Sequence, residues 1–322
     1  MPASPTPIPV RWPRAYRALA ESLGPGSPLL RMGDFHPSEA EPDPDALADP
    51  VGEAGCAPLP FLLQKYPDRV LVLAAARCFF YCRFCFRRGK PPGSRGHPGP
   101  GDWARIFAWL AERPRVEEVV LSGGDPLTLP DRKLSEIGRS LAAIPSMRRW
   151  RIHTRAPVVL PRRVTSRLVA SLAEIPLPLA VVLHVNHPAE LWEPLLAAVG
   201  RLRAAGVAVE AQSVLLAGVN DDPATLTALW EGLRAAGIRP RYLHHTDRAP
   251  GNRSFRVSMA RGLGIVRQVG GSPTPPYVVD LPGGGGKLPV EDVVPDPGGA
   301  PWDLLTAQGP GRDRKGCTRN SA

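Results

Sequence analysis

From Arg69 onward, apolar runs of strand length alternate with amphipathic stretches of helical length. The runs VLVLAA (70–75), VEEVVLS (116–122), RWRIHT (149–154), LAVVLHV (179–185), VAVEAQSVLL (207–216) and IRPRYLHH (238–245) are short and rich in Val, Ile and Leu, and they read as strands. Between them, WARIFAWLAERP, KLSEIGRSLAAIP, RRVTSRLVASLAEIP, ELWEPLLAAVGRLRAAG and DDPATLTALWEGLRAAG space their apolar residues as helices do. Strand–helix alternation of this kind predicts parallel βα units. Two of the helices end in Ala-Ala-Gly, at Gly206 and Gly237, where a left-handed C-cap is expected. Six such strands form either an open doubly wound sheet or an incomplete barrel, and in both the ligands gather at the carboxyl ends of the strands.

The flanks have another texture. Residues 1–60 are proline-rich and acidic in places, with a helix expected near 14–23, and form an N-terminal extension to a core over 61–250. A C-terminal segment, 251–295, holds a helix near 257–269, the strand PYVVD and the glycine-rich PGGGGKLPV. Residues 296–322 are expected to be a tail with little order.

Composition narrows the function classes. Across 322 residues, 43% are hydrophobic and 22% charged, which supports a folded core and argues against disorder throughout. The net charge of +10 comes from arginines scattered along the chain and forms no basic block, so a nucleic-acid partner is not expected. No run of roughly 18 apolar residues occurs, and the N-terminus has no apolar leader region, so neither a membrane span nor a secretory signal is expected. Five cysteines, three of them clustered, make no disulfide framework and suit a reducing, cytoplasmic setting.

The cluster is RCFFYCRFCFRRG, with Cys78, Cys82 and Cys85 spaced C-x3-C-x2-C just past the strand at 70–75. A structural zinc site closes with four ligands, and here Cys56 or Cys317 would have to fold back to complete it, as in a zinc-anchored, basic nucleic-acid-binding protein. Three thiolates make sense instead around a 4Fe-4S cluster that keeps one iron open for a ligand. A second feature is SGGDPL, residues 122–127, at the end of the next strand, where glycines admit close backbone approach and a carboxylate can meet an ammonium group. A third is PGGGGK, ending in Lys287. It is no P-loop, since Leu288 follows the lysine, and it leaves either a solvated lysine or one that binds a carbonyl cofactor.

The cysteine spacing is the hallmark of the radical S-adenosylmethionine (SAM) superfamily, and SGGDPL resembles that superfamily's GGE-type motif with Asp125 in place of Glu. Taken with RIHTRAPVVLP (151–161), HVNHP (184–188), QSVLLAGVND (212–221), YLHHTD (242–247) and YVVDLPGGGGKLPV (277–290), the order of motifs resembles the lysine 2,3-aminomutase family over roughly residues 60–292. The resemblance implies an incomplete (β/α)6 TIM-like barrel and an isomerase that moves the amino group of L-lysine from C2 to C3. It implies a 4Fe-4S cluster on Cys78, Cys82 and Cys85, with SAM held by Ser122, Gly123, Gly124 and Asp125 and touched by Gln212. It further implies pyridoxal phosphate (PLP) on Lys287, with Lys65 and Arg69 near its phosphate. Arg87 would bind the substrate carboxylate, and Asp247 and Asp280 its distal ammonium. An external reductant such as flavodoxin or ferredoxin, and a homo-oligomer, also belong to the picture. Longer family members carry a cysteine-rich C-terminal segment that binds zinc between subunits, where this chain has only Cys317. The short length instead resembles the branch that makes (R)-β-lysine for elongation factor P, and a mutase for another amino acid such as glutamate is the remaining enzymatic alternative.

Overall fold

The computed structural model describes residues 8–88, 96–271 and 273–293. At its centre is one sheet of nine strands standing in chain order: β1 (Leu62–Tyr66), β2 (Arg69–Ala75), β3 (Glu118–Gly123), β4 (Arg149–Thr154), β5 (Leu179–His184), β6 (Ala208–Val214), β7 (Arg239–His244), β8 (Tyr277–Asp280) and β9 (Lys287–Pro289). Neighbours from β2 to β8 are parallel. The edge strands β1 and β9 run antiparallel to theirs and do not pair with each other, so the sheet curls into an open half-barrel. Strands β2 to β7 are the six expected from the sequence. β1 and β9 were not expected, because Pro67 and Pro289 cut LLQKY and KLP too short to show a period. The run at 70–75 is therefore the second strand of the sheet and not its first.

The five expected inter-strand helices form as α3 (Pro100–Ala111), α4 (Asp131–Ala142), α6 (Ser166–Ala173), α7 (Glu193–Ala204) and α8 (Pro223–Ala235), after α1 (Arg14–Ser22) and α2 (Pro28–Gly33), with the short α5 (Ala156–Val159) between α4 and α6 and α9 (Met259–Gln268) last. Local chemistry sets their ends. The Thr165 side chain accepts from Leu168 N and that of Asp222 from Thr225 N, each satisfying an orphan donor of the first turn. Gly206 and Gly237 adopt the left-handed conformation at φ 76° and 70°, as their position after the helices requires. Each helix lays one face on the sheet. α4 buries Leu134, Ile137 and Leu141, and Trp150 of β4 packs in the same cluster. The strands beneath are covered on both faces, so Val119, Val120 and Leu121 are buried consecutively, as are Val181, Val182 and Leu183.

The N-terminal segment is built into the same body. Tyr16 of α1 and Met32 of α2 are fully buried, the Tyr16 hydroxyl donates to Glu190 at 2.6 Å, and Arg83 N donates to Met32 O at 2.9 Å. The tail expected over 296–322 lies outside the described residues.

Candidate active site

The carboxyl end of β2 feeds the cysteine loop. Its aromatic residues Phe80 and Phe84 are buried, and Cys85 N donates to Cys82 O at 3.1 Å, folding the chain back so that the three cysteines share one loop. Cys78, Cys82 and Cys85 are free thiols. Two of the loop's arginines are internal fasteners. Arg83 and Arg88, both buried, pair with the buried carboxylate of Glu39, and Arg88 also donates to Gly251 O at 2.8 Å. Burial raises all three thiol pKa values, Cys82 to about 11, and neighbouring sulfurs add to the rise at Cys78 and Cys82. Alone, these groups stay protonated; a cationic centre is what would hold them as thiolates. Among the described residues no set of three or more His, Cys, Asp or Glu side chains closes on a single metal ion. The donor set fits a cluster, which spreads its ligands over several irons, better than one tetrahedral zinc with sulfurs at about 2.3 Å.

At the end of β3 the SGGD turn presses on this loop. Gly124 N donates to Ala75 O at 2.6 Å and Asp125 N to Arg77 O at 2.7 Å. A side chain at Gly123 would stand 2.6 Å from Ala75 O, and one at Gly124 would stand 2.4 Å from Arg77 O, so only glycine permits the contact. Asp125 is buried with both oxygens engaged: Oδ1 accepts from Leu127 N at 3.0 Å and Thr154 Oγ1 at 2.6 Å, Oδ2 from Arg155 N at 2.9 Å and Ala156 N at 2.8 Å. Burial raises its pKa and these bonds work the other way. The side chain thus ties the ends of β3 and β4 together.

Arg87, from the cysteine loop, reaches the same turn. Its Nη1 donates to Gly123 O at 3.2 Å, while Nη2 and Nε engage the buried Glu53, the shortest contact being 2.5 Å. Burial works against that guanidinium, and Glu53, helped by the Cys85 and Cys78 sulfurs, more than offsets the cost.

Opposite, the β8–β9 hairpin places Asp280 and Lys287 in register, with Nζ 3.0 Å from Oδ1. Burial works against the Lys287 ammonium, and Asp280, with smaller help from Tyr66 and Asp247, outweighs it, so the lysine pKa lies above its ordinary value. Lys287 N also donates to the Tyr66 hydroxyl of β1 at 2.9 Å. Asp247, just past β7, lines a cleft with Asp280, Leu47, Pro50 and Met259. Its carboxyl is pushed far above the usual range by burial and then by Asp280, against the pull of Lys287, Lys65 and Arg87. Those opposing influences show that the structure brings Arg87, Asp247, Asp280, Lys287 and Lys65 into one electrostatic neighbourhood.

The remaining expected residues fall around this centre. Lys65 gives one of its three donors to Val51 O, and burial lowers its pKa. Arg69 lies farther out, stacked on Tyr66 at 4.2 Å from the ring centroid. Gln212 of β6 stands in register between His184 of β5 and Tyr242 of β7. Sequence reasoning assigned no role to Glu53 or Glu39, which sit in the proline-rich N-terminal segment, or to His244, whose Nδ1 is 3.6 Å from Asp280 Oδ2. His244 did fall within YLHHTD, the signal that could have found it. Buried Nε2 atoms of His153, His184 and His244 have no hydrogen-bond partner among the described residues. Burial lowers the pKa of all three, which favours the neutral imidazole.

Comparison with known proteins agrees with this geometry. Residues 72–229 match the model of the Radical SAM superfamily. The chain is 36% identical to the L-lysine 2,3-aminomutase of Escherichia coli (strain K12), over 88% of this chain and 83% of that protein. It is 38% identical to the L-lysine 2,3-aminomutase of Fusobacterium nucleatum, over 80% of this chain and 60% of that one. For the enzyme of the same name from Methanococcus maripaludis the identity is 37%, over 76% and 57%. The chain thus spans little more than half of the longer relatives. A 4Fe-4S cluster and SAM are the equipment of this superfamily, and the three-cysteine loop beside the SGGD turn is where they would be held. On identity and coverage together, the chain belongs to the lysine 2,3-aminomutase family, a group of radical SAM isomerases.

Proposed function

We propose that the chain interconverts L-lysine and β-lysine by moving an amino group between C2 and C3, using PLP carried on Lys287. The observation that carries this reading is the half-buried pair Asp247 and Asp280 lining one cleft beside Lys287, with Arg87 in the same field. Asp280 now has the Lys287 ammonium as its partner at 3.0 Å. With Lys287 in imine linkage to PLP, its free three-donor ammonium would no longer be there for Asp280. A substrate with a second ammonium replaces it and pairs with both acids, which favours lysine; glutamate would add a third carboxylate to the site. At the other end, Glu53 grips Arg87 through Nε and Nη2 and the SGG turn takes Nη1, so the guanidinium is held still where a substrate carboxylate can meet its remaining donors.

When bound, a reduced cluster with SAM on Cys78, Cys82 and Cys85 would supply radical chemistry at an unactivated carbon, and PLP on Lys287 would supply an electron-delocalising ring. The chain's share is placement. Arg87 lies two residues past Cys85, so carboxylate anchor and radical source are fixed to one loop. With the Asp125 side chain engaged internally, the backbone of the turn and Ser122 are what would face SAM, with Gln212 beside His184 toward its nucleoside part. Lys65, in the field of Lys287, and Arg69, over the Tyr66 ring, are the candidates near the PLP phosphate. The reading includes a small electron carrier such as flavodoxin or ferredoxin and a reducing cytoplasm. The chirality of the product distinguishes (R)-β-lysine, the hand made by the elongation factor P branch, from its mirror image.

No helix among the described residues is long and apolar enough to cross a membrane. Anaerobic reconstitution tests the cofactor assignment: the chain should hold iron and, after borohydride reduction, a pyridoxyl group that peptide mapping places on Lys287. A colourless, zinc-loaded protein, or a pyridoxyl group on another lysine, overturns it.

A further inference from the structure

We propose that Arg155 is the hydrogen-bond donor to the cluster ligand Cys82 and raises the reduction potential of the cluster from a position braced by Tyr16 and Glu190. The inference rests on reading Cys78, Cys82 and Cys85 as cluster ligands. Arg155 follows β4 directly, its backbone N tied to Asp125. Its side chain is only 7% exposed. Nη2 donates to Glu190 Oε1 at 2.7 Å and approaches the Tyr16 hydroxyl at 3.4 Å and Met32 Sδ at 3.5 Å, while Nη1 is directed at Cys82 Sγ at 3.6 Å. Phe80 and Phe84, from the cysteine loop itself, lie 5.1 and 5.4 Å from the guanidinium carbon.

Glu190 cannot swing away to take more of this charge. It is fully buried, and its Oε1 also accepts from Tyr16 at 2.6 Å while Oε2 accepts from Asn186 N at 2.6 Å and His187 N at 3.1 Å. Nη1 is therefore left with sulfur as its acceptor. A neutral thiol is a poor acceptor and a thiolate a good one, so the arrangement is matched to a metal-bound Cys82. Hydrogen bonds to cluster sulfurs and nearby charge are the protein's levers on potential. A fixed cation stabilises the more negative, reduced cluster and raises the potential. The N-terminal segment, through Tyr16 and Met32, would thus be part of the redox site.

The test is an EPR-monitored redox titration of the reconstituted full chain without SAM, with iron content measured in parallel. Arg155→Gln should lower the reduced-to-oxidised ratio at a fixed poise at least tenfold, which is about 59 mV for one electron. Arg155→Lys, which keeps the charge, should recover part of that shift. Glu190→Gln should move the potential the opposite way, because the compensating negative charge is gone, and it keeps the proposal open to test if Arg155→Gln does not fold. Unchanged potentials in both glutamine variants overturn the proposal, as does an Arg155→Gln chain that loses only SAM affinity. An unaltered chain that binds no iron refutes the cluster reading itself.

Discussion

Removing the Asp125 carboxylate should loosen the joint between the SGGD turn and β4, and the structure fixes the size of the effect. Four donors converge on it: Leu127 N, Thr154 Oγ1, Arg155 N and Ala156 N. In Asp125→Ala the Thr154 hydroxyl can turn elsewhere, and Ala156 N keeps that hydroxyl as an acceptor at 3.0 Å. Leu127 N and Arg155 N are orphaned in a buried place, at about 1–3 kcal/mol each. Relief of the charge's own burial offsets part of this, leaving a loss of about 2–5 kcal/mol, a large share of a typical domain's stability. Asp125→Asn should be milder. If its amide nitrogen takes the Oδ1 place, the Thr154 hydroxyl can accept from it and only Leu127 N is orphaned, for about 1–3 kcal/mol. Urea unfolding of the metal-free chain under anaerobic conditions measures both. The predicted order is unaltered chain, then Asn, then Ala; an Ala variant that loses less than about 1 kcal/mol refutes the role given to these bonds.

Asp247 supplies a pH dependence. Its carboxyl is raised by burial and by Asp280, so between the ordinary aspartate range near 4 and its raised native value the folded chain holds a proton that the unfolded chain has released. Stability conferred by that proton is full at low pH and is lost as pH rises through the native value, so Asp247→Asn should flatten the decline seen by thermal unfolding between pH 5 and 9. Binding L-lysine at neutral pH should expel the same proton, visible as a calorimetric enthalpy that varies with the buffer; buffer-independent heats contradict this. Glu53→Gln weakens the grip on Arg87 and should raise KM for L-lysine about tenfold, near 1.4 kcal/mol, with kcat changed less. An unaltered KM removes Glu53 from the account.

The half-barrel was legible because its strands are buried on both faces and its helices on one, which writes short continuous apolar runs and helically spaced stretches in alternation into residues 69–245. β1 and β9 escaped because prolines leave them three to five residues, and because what holds them is pairing with β2 and β8, a non-local matter. In the site, spacing alone put three cysteines on one loop, and the family resemblance put Asp280 and Lys287 near each other, as the β8–β9 register now shows. The partners of the arginines were not legible. Glu39, Glu53 and Glu190 lie 44, 34 and 35 residues from the arginines they hold, and no local pattern marks such pairs.

One incubation decides whether the chain is a lysine aminomutase: reconstituted chain with SAM, dithionite and L-lysine under anaerobic conditions, with products resolved by chiral chromatography. β-Lysine should form over many turnovers with SAM largely preserved. Steady cleavage of SAM to 5′-deoxyadenosine and methionine without β-lysine, or turnover of glutamate in preference to lysine, would contradict that expectation.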